Sequence, residues 1–96
     1  MFDKIDDLTA ALARGEMIII TDDKGRENEG DIVVAAELAT PETVNFMVTH
    51  ARGLVCCPIT RERALEIGVG EMTHNSDPLG TNFTVSVDAV EGTTTY

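Results

Sequence analysis

Tryptophan is absent from this 96-residue sequence, and aromatic residues make up only 4% of it. A core built from it must rest on Val, Ile, Leu, Ala and Met rather than on large rings. Basic residues are also scarce: seven Lys and Arg face seventeen Asp and Glu, for a formal net charge of -10. Phosphate backbones and anionic membrane surfaces are held by clustered Lys and Arg, so this balance argues against both as partners. The cysteines are limited to Cys56 and Cys57. Neighbouring residues rarely bridge, because the geometry is strained. With no disulfide framework, a reducing cytoplasm fits best. No apolar run reaches membrane-spanning length, and the opening MFDKIDDLTAALARG lacks the apolar centre of a signal peptide. A soluble cytoplasmic protein of one domain at most is the expectation. The hydrophobic share of 43% is enough for a packed core.

Along the chain, Phe2, Ile5, Leu8 and Leu12 fall at helical spacing, which predicts a helix from Phe2 to Arg14 stopped by Gly15. Met17 to Ile20 is a short apolar run, read as a buried strand. Thr21 to Gly30 interrupts it, and Asp31 to Ala36 resumes as a second strand that could pair with the first. Thr40 caps a helix with Pro41 at its first position and Val44, Met47, Val48 and Ala51 on one stripe. Gly53 to Cys57 reads as a third buried strand, which would bury both cysteines. Thr60 caps a short helix that Gly68 ends. Thr81 to Ala89 alternates, with Phe83, Val85 and Val87 on one face, and predicts a half-buried strand. The order α-β-β-α-β-α-β describes an α+β domain whose last strand runs straight into EGTTTY. Such an ending suggests a cut within a fold, because a finished sheet is usually covered.

The loop TDDKGRENEG and the residue after it place five carboxylates, Asp22, Asp23, Glu27, Glu29 and Asp31, within ten residues, beside Lys24 and Arg26. Like charges this dense repel. A fold tolerates them if the loop is freely solvated or if a cation neutralises it. Oxygen ligands suit Mg²⁺, which keeps waters and takes one or two carboxylates plus substrate oxygens. Arg26 within the acids suggests an anion contact, since a guanidinium offers a fixed fork of donors. The plainer reading of the composition is a charged, solvated hairpin tip.

The residues themselves carry a resemblance. Asp22-Asp23 followed by Arg26-Glu27-Asn28-Glu29-Gly30-Asp31 resembles the signature of the 3,4-dihydroxy-2-butanone-4-phosphate synthases. Ile18 to Ile20 and Ile32 to Ala36 resemble the flanking strands. Gly53-Leu54-Val55-Cys56 and Phe83-Thr84-Val85-Ser86-Val87-Asp88 resemble later family segments, in family order. The resemblance implies conversion of ribulose 5-phosphate to 3,4-dihydroxy-2-butanone 4-phosphate and formate, in riboflavin biosynthesis. It implies a divalent cation, Mg²⁺ or Mn²⁺, a homodimer, and a three-layer α-β-α fold around a mixed sheet. It implies that Glu27 ligates the metal and that Arg26, Glu27 and Asp31 bind substrate. Glu29 and Cys56 match positions lining the family's pocket and are the candidate catalytic groups. The resemblance also allows for a fused GTP cyclohydrolase II domain.

This sequence departs from the family pattern in three ways. Family members continue into a second half that supplies a metal-binding histidine and phosphate-binding groups, and no such segment follows here. The chain therefore reads as the N-terminal portion, residues 1–96, of one synthase domain, and alone it is expected to release no formate. Tyr96 stands where a glycine is expected, and His74 where an asparagine is. The contrasting reading is a shortened, inactive module that acts through metal binding or dimerisation. His50, at the end of a helix stripe, is read as a partner of the helix dipole. His74 is read as solvated, and Met47 and Met72 as core fillers.

Overall fold

The computed structural model describes residues 1–73 and 82–92. The chain divides into two compact units, Met1–Cys57 and a second beginning at Pro58.

The first unit opens with α1, Ile5–Ala13. The predicted start at Phe2 is too early: Lys4 is extended and caps the helix, with no side-chain bond to it. Asp6 and Asp7 lie in the first turn, where exposed N–H groups favour negative charge. Gly15 ends the helix as read. It takes a left-handed φ of 80°, and the N–H groups of Gly15 and Glu16 reach back to the carbonyls of Leu12 and Ala11. This is the Schellman arrangement, in which glycine meets no Cβ penalty. A Cβ on Gly15 would meet that of Leu38 at 3.5 Å, an ordinary contact, so the left-handed backbone rather than crowding is what favours glycine here.

The chain then turns into β1, Ile18–Thr21, which pairs antiparallel with β2, Gly30–Val33. The register sets Ile18 opposite Val33, Ile19 opposite Ile32, Ile20 opposite Asp31 and Thr21 opposite Gly30. β2 is shorter than the predicted Asp31–Ala36. Its ladder stops at Val33, opposite the first residue of β1, and Ala36–Leu38 curls into a 3₁₀ turn. Leu8 and Ala11 of α1 face Met17 and Ile18 around a shallow hollow, and all four are half-buried.

The second helix, α2, spans Pro41–His50 as its caps predict. The Thr40 hydroxyl accepts from the Thr43 N–H at 3.2 Å, and the Thr43 hydroxyl accepts from the Thr40 N–H at 2.8 Å. This reciprocal capping box satisfies two groups that would otherwise be left unpaired at the helix start. His50 lies in the last turn, as read, with its ring 4.4 Å from that of Phe46.

Beyond α2 the structure differs from the sequence reading. Arg52 takes a left-handed φ of 58°, and Gly53–Cys57 lies outside any strand. Cys56 and Cys57 are exposed, not buried. Strand geometry is sustained by a neighbouring ladder, and no described residue supplies one here.

In the second unit, α3 spans Arg61–Ile67. The Thr60 hydroxyl caps it through the Arg63 N–H at 3.1 Å, and left-handed Gly68 closes it. The described part of the predicted last strand holds a single antiparallel bridge between Glu71 and Thr84. It is flanked by bonds from Met72 N–H to the Phe83 carbonyl and from Val85 N–H to the Gly70 carbonyl. Thr81 and His74 lie outside the described residues.

The fold class is α+β, with a two-stranded antiparallel sheet among the described residues. The expected packed core is not formed: no described hydrophobic residue is fully buried. Met47 is half-buried, but Met72 is exposed and fills no core. Two strands and short helices cannot enclose a core by themselves, because a lone hairpin is marginal in water. Leu54, Val55, Val87 and Val90 are instead more than half exposed. Exposed apolar side chains favour association. The chain by itself is therefore expected to self-associate, with species heavier than one chain in sedimentation velocity. A monodisperse monomer with a sharp cooperative melt would contradict this.

Candidate functional site

The acidic loop is the hairpin tip, with most of its residues exposed, and it is ordered by hydrogen bonds of its own. The Asp22 N–H donates to the Glu29 carbonyl at 3.3 Å and extends the hairpin by one rung. The Asp23 carbonyl accepts from the N–H groups of Arg26 at 3.0 Å and Asn28 at 3.3 Å. Asn28 is left-handed, with φ 56°, a conformation asparagine tolerates better than most residues.

The carboxylate of Asp22 fills the inside of this turn. Its Oδ2 accepts from the Glu27 N–H at 2.8 Å and from Arg26 Nη1 at 3.0 Å, and its Oδ1 accepts from the Glu29 N–H at 2.8 Å. The loop residues are thus held by one side chain that is only 21% exposed. Arg26 Nη1 also lies 3.4 Å from Glu27 Oε2, so the guanidinium bridges two carboxylates. The Glu27 side chain is half-buried, whereas Glu29 and Asp31 are exposed.

These contacts set the electrostatics. Asp22 is held below the usual carboxylate range, first by the Glu29 N–H, then by the Glu27 N–H, with Arg26 adding to the effect against some desolvation. The Arg26 guanidinium is held above its ordinary value by its bond to Asp22 and by the charges of Glu27, Asp22 and Asp31.

Of the residues singled out from sequence, Arg26 and Glu27 touch. Glu29 joins them through its backbone bond to Asp22, and Asp31 enters β2 opposite Ile20, close enough to influence Arg26. Cys56 is exposed on the segment after α2, and no hydrogen bond or ion pair joins it to the loop. Sequence reasoning missed the part Asp22 plays. The available signal was an Asp leaving a strand just before a Gly- and Asn-containing turn, where such side chains bind nearby backbone N–H groups.

A hard divalent cation fits the donor chemistry, and this chain offers only part of its shell. Among the described residues, no three His, Cys, Asp or Glu side chains converge. Asp22 has both oxygens engaged by donors. Mg²⁺ commonly takes one or two carboxylates, and those of Asp23, Glu27, Glu29 and Asp31 lie around the Asp22 turn, Glu27 half-buried and the others exposed.

A hairpin loop that presents a guanidinium and several carboxylates around an inward Asp suits an oxygen-rich, anionic small molecule and a hard cation. Comparison with known proteins gives the family. The sequence pattern of 3,4-dihydroxy-2-butanone 4-phosphate synthase matches residues 6–96. The chain is 52% identical over 92 residues to the 3,4-dihydroxy-2-butanone 4-phosphate synthase of Pseudomonas aeruginosa, covering 95% of this chain and 25% of that protein. It is 50% identical over 95 residues to the riboflavin biosynthesis protein RibBA of Bacillus mycoides, covering 98% of this chain and 24% of that one. The synthase of Pyricularia oryzae is 48% identical over 95 residues, covering 98% and 41%. The crystal structure of RibBX, a two-domain 3,4-dihydroxy-2-butanone 4-phosphate synthase from A. baumannii, superposes with a TM-score of 0.80 at 47% identity, over 96% of this chain and 27% of that one. The chain belongs to the 3,4-dihydroxy-2-butanone 4-phosphate synthase family. It spans about a quarter of the length of the Pseudomonas and Bacillus relatives.

The lowered proton affinity of Asp22 has a consequence for pH. A carboxyl depressed in the folded state contributes stability that is fully present above its unfolded value, about 3.9 for Asp, and lost as pH falls through the folded value. Asp22 Cγ, followed by carbon NMR, is expected to titrate below the ordinary Asp range, with the Glu27 and Glu29 amide signals moving in the same step. An Asp22 that titrates at or above the ordinary value would contradict the geometry described.

Proposed function

We propose that the protein carrying this chain converts ribulose 5-phosphate to 3,4-dihydroxy-2-butanone 4-phosphate and formate in riboflavin biosynthesis. The observation that carries this reading is the Arg26-Glu27-Asn28-Glu29-Gly30-Asp31 run held in one closed loop, in a chain of this family. On this reading, residues 1–96 form the N-terminal portion of one synthase domain, a three-layer α-β-α fold with a mixed sheet. The assembly is a cytoplasmic homodimer that uses Mg²⁺ or Mn²⁺.

The roles follow from what each group can do. Arg26 presents donors in a fixed fork and, with Asp31, holds and orients the sugar phosphate. Glu27 holds the cation, whose chemistry, when bound, is to polarise substrate oxygens on which enediolate charge gathers. Glu29, an exposed carboxylate tied to the loop by its own backbone, takes a proton from the carbon beside the carbonyl and returns protons in later steps. Cys56 lines the pocket against the substrate backbone. The substrate then loses water, its skeleton rearranges, a water adds back to the C4 carbonyl, and the C–C bond to C4 breaks so that C4 leaves as formate and the carbon it leaves takes up a proton. Holding the reacting groups in one geometry supplies much of the acceleration, which is why a closed loop matters.

The exposed apolar side chains of Leu54, Val55 and Val87 favour a second reading, a dimerisation or metal-binding module without turnover. One assay separates the two: formate release from ribulose 5-phosphate by the full-length protein with Mg²⁺. The enzyme reading predicts turnover, and predicts that Glu27→Gln lowers it most at limiting Mg²⁺. Losing roughly 3 kcal/mol of charge stabilisation corresponds to about a hundredfold in rate. Unchanged turnover by Glu27→Gln at limiting Mg²⁺ would remove Glu27 from the metal site, and no turnover by the parent would leave the module reading.

A further inference from the structure

We propose that Asp22 is a positioning residue of the site, setting Arg26, Glu27 and Glu29 from inside the loop without itself ligating the cation or carrying protons. The inference rests on the reading above for its catalytic consequence, but its geometry stands on its own. Three donors converge on one carboxylate: the N–H groups of Glu27 and Glu29 at 2.8 Å each, and Arg26 Nη1 at 3.0 Å. These are charge-assisted bonds, shorter and stronger than neutral ones. They fix the backbone at alternate residues, 27 and 29, which are the residues whose side chains the chemistry needs.

The same bonds disfavour other roles for Asp22. A cation at Asp22 would have to share oxygens that already accept from three donors, whereas the Glu27 carboxylate meets one, the Arg26 guanidinium at 3.4 Å. A proton carrier must change protonation state during turnover, and protonating Asp22 would weaken all three bonds at once. The neighbouring acid makes the contrast. Asp23 is exposed and serves the turn through its backbone carbonyl, which accepts from Arg26 and Asn28. An acidic pair adjacent in sequence is thus divided between an inward side chain that organises the loop and an outward one that does not.

The test uses Asp22→Ala, Asp22→Asn and Asp23→Ala in the full-length protein, with two readouts. The first is amide NMR without substrate or metal. In the parent, the Glu27 and Glu29 amide protons should lie downfield and exchange slowly. Asp22→Ala should bring both upfield and speed their exchange, Asp22→Asn should give an intermediate result through its one remaining oxygen acceptor, and Asp23→Ala should leave both in place. The second readout is formate release. Asp22→Ala should lower kcat on the order of a hundredfold, the scale of a misplaced site. It should also raise the Mg²⁺ concentration giving half the maximal rate, which a mere loss of folded protein would not shift. Asp22→Asn should recover part of both. If Asp22→Ala leaves the two amide signals unmoved, the positioning role is overturned whatever the activity. If the signals move and kcat with its Mg²⁺ dependence does not, the catalytic part is overturned. A parent that releases no formate while its amides respond refutes the proposed reaction and leaves the loop geometry supported.

Discussion

One carboxylate accepting two backbone N–H groups determines the form of the candidate site. Without Asp22 inside it, the segment from Asp23 to Glu29, three acids and two bases with no apolar residue, would have little to keep it from splaying into water. With Asp22 there, two of its amides and its guanidinium converge on a single anion. The remaining acids are then presented outward from a defined backbone. Charge density is thereby turned from a liability into a set of positioned groups, because the inward carboxylate is the most fully compensated of them. The hairpin below supplies the frame: β1 delivers Asp22 at its end, and β2 receives the chain one residue after Glu29.

The frame itself is lightly built. In each unit the helices are secured by local chemistry at their ends, through the left-handed Gly15 and the Thr40–Thr43 box in the first and the Thr60 cap and left-handed Gly68 in the second. Its interior is half-buried throughout. A helix laid on a two-stranded sheet buries Leu8, Ala11, Met17 and Ile18 only in part. Local caps therefore specify where elements begin and end, while little apolar burial within the chain holds them together. An ordered polar loop on a loosely packed support places more weight on the loop's own hydrogen bonds, and Asp22 provides three of them.

That division also explains which features could be read from the sequence. Caps and stops depend on a residue and its neighbours a few positions away, so α2, α3 and the end of α1 were legible from Thr40, Pro41, Thr60, Gly15 and Gly68. The hairpin was legible too, because two apolar runs flank an uninterrupted polar stretch. Gly53–Cys57 and the described part of the last alternating segment were not correctly read as strands. Apolar alternation states a capacity to pair, and pairing requires a partner that the sequence of one segment does not name. The candidate site was legible as a group of residues through the Arg-Glu-Asn-Glu-Gly-Asp run. Its internal order was not. The place of Asp22 directly after the strand hinted at its inward turn, but its bonds to the Glu27 and Glu29 N–H groups, five and seven residues on, are set by the path of the backbone through the turn.

The central claim is that one loop, held by Asp22, brings Arg26 and Glu27 to a sugar phosphate and its cation. The most direct measurement is a crystal structure of the full-length protein with ribulose 5-phosphate and Mg²⁺ bound. The account predicts a Glu27 carboxylate oxygen about 2.0–2.1 Å from the ion, Arg26 on the substrate, and Asp22 still bonded to the N–H groups of Glu27 and Glu29. A structure in which Asp22 itself coordinates the ion, or in which the loop lies away from the substrate, would contradict it.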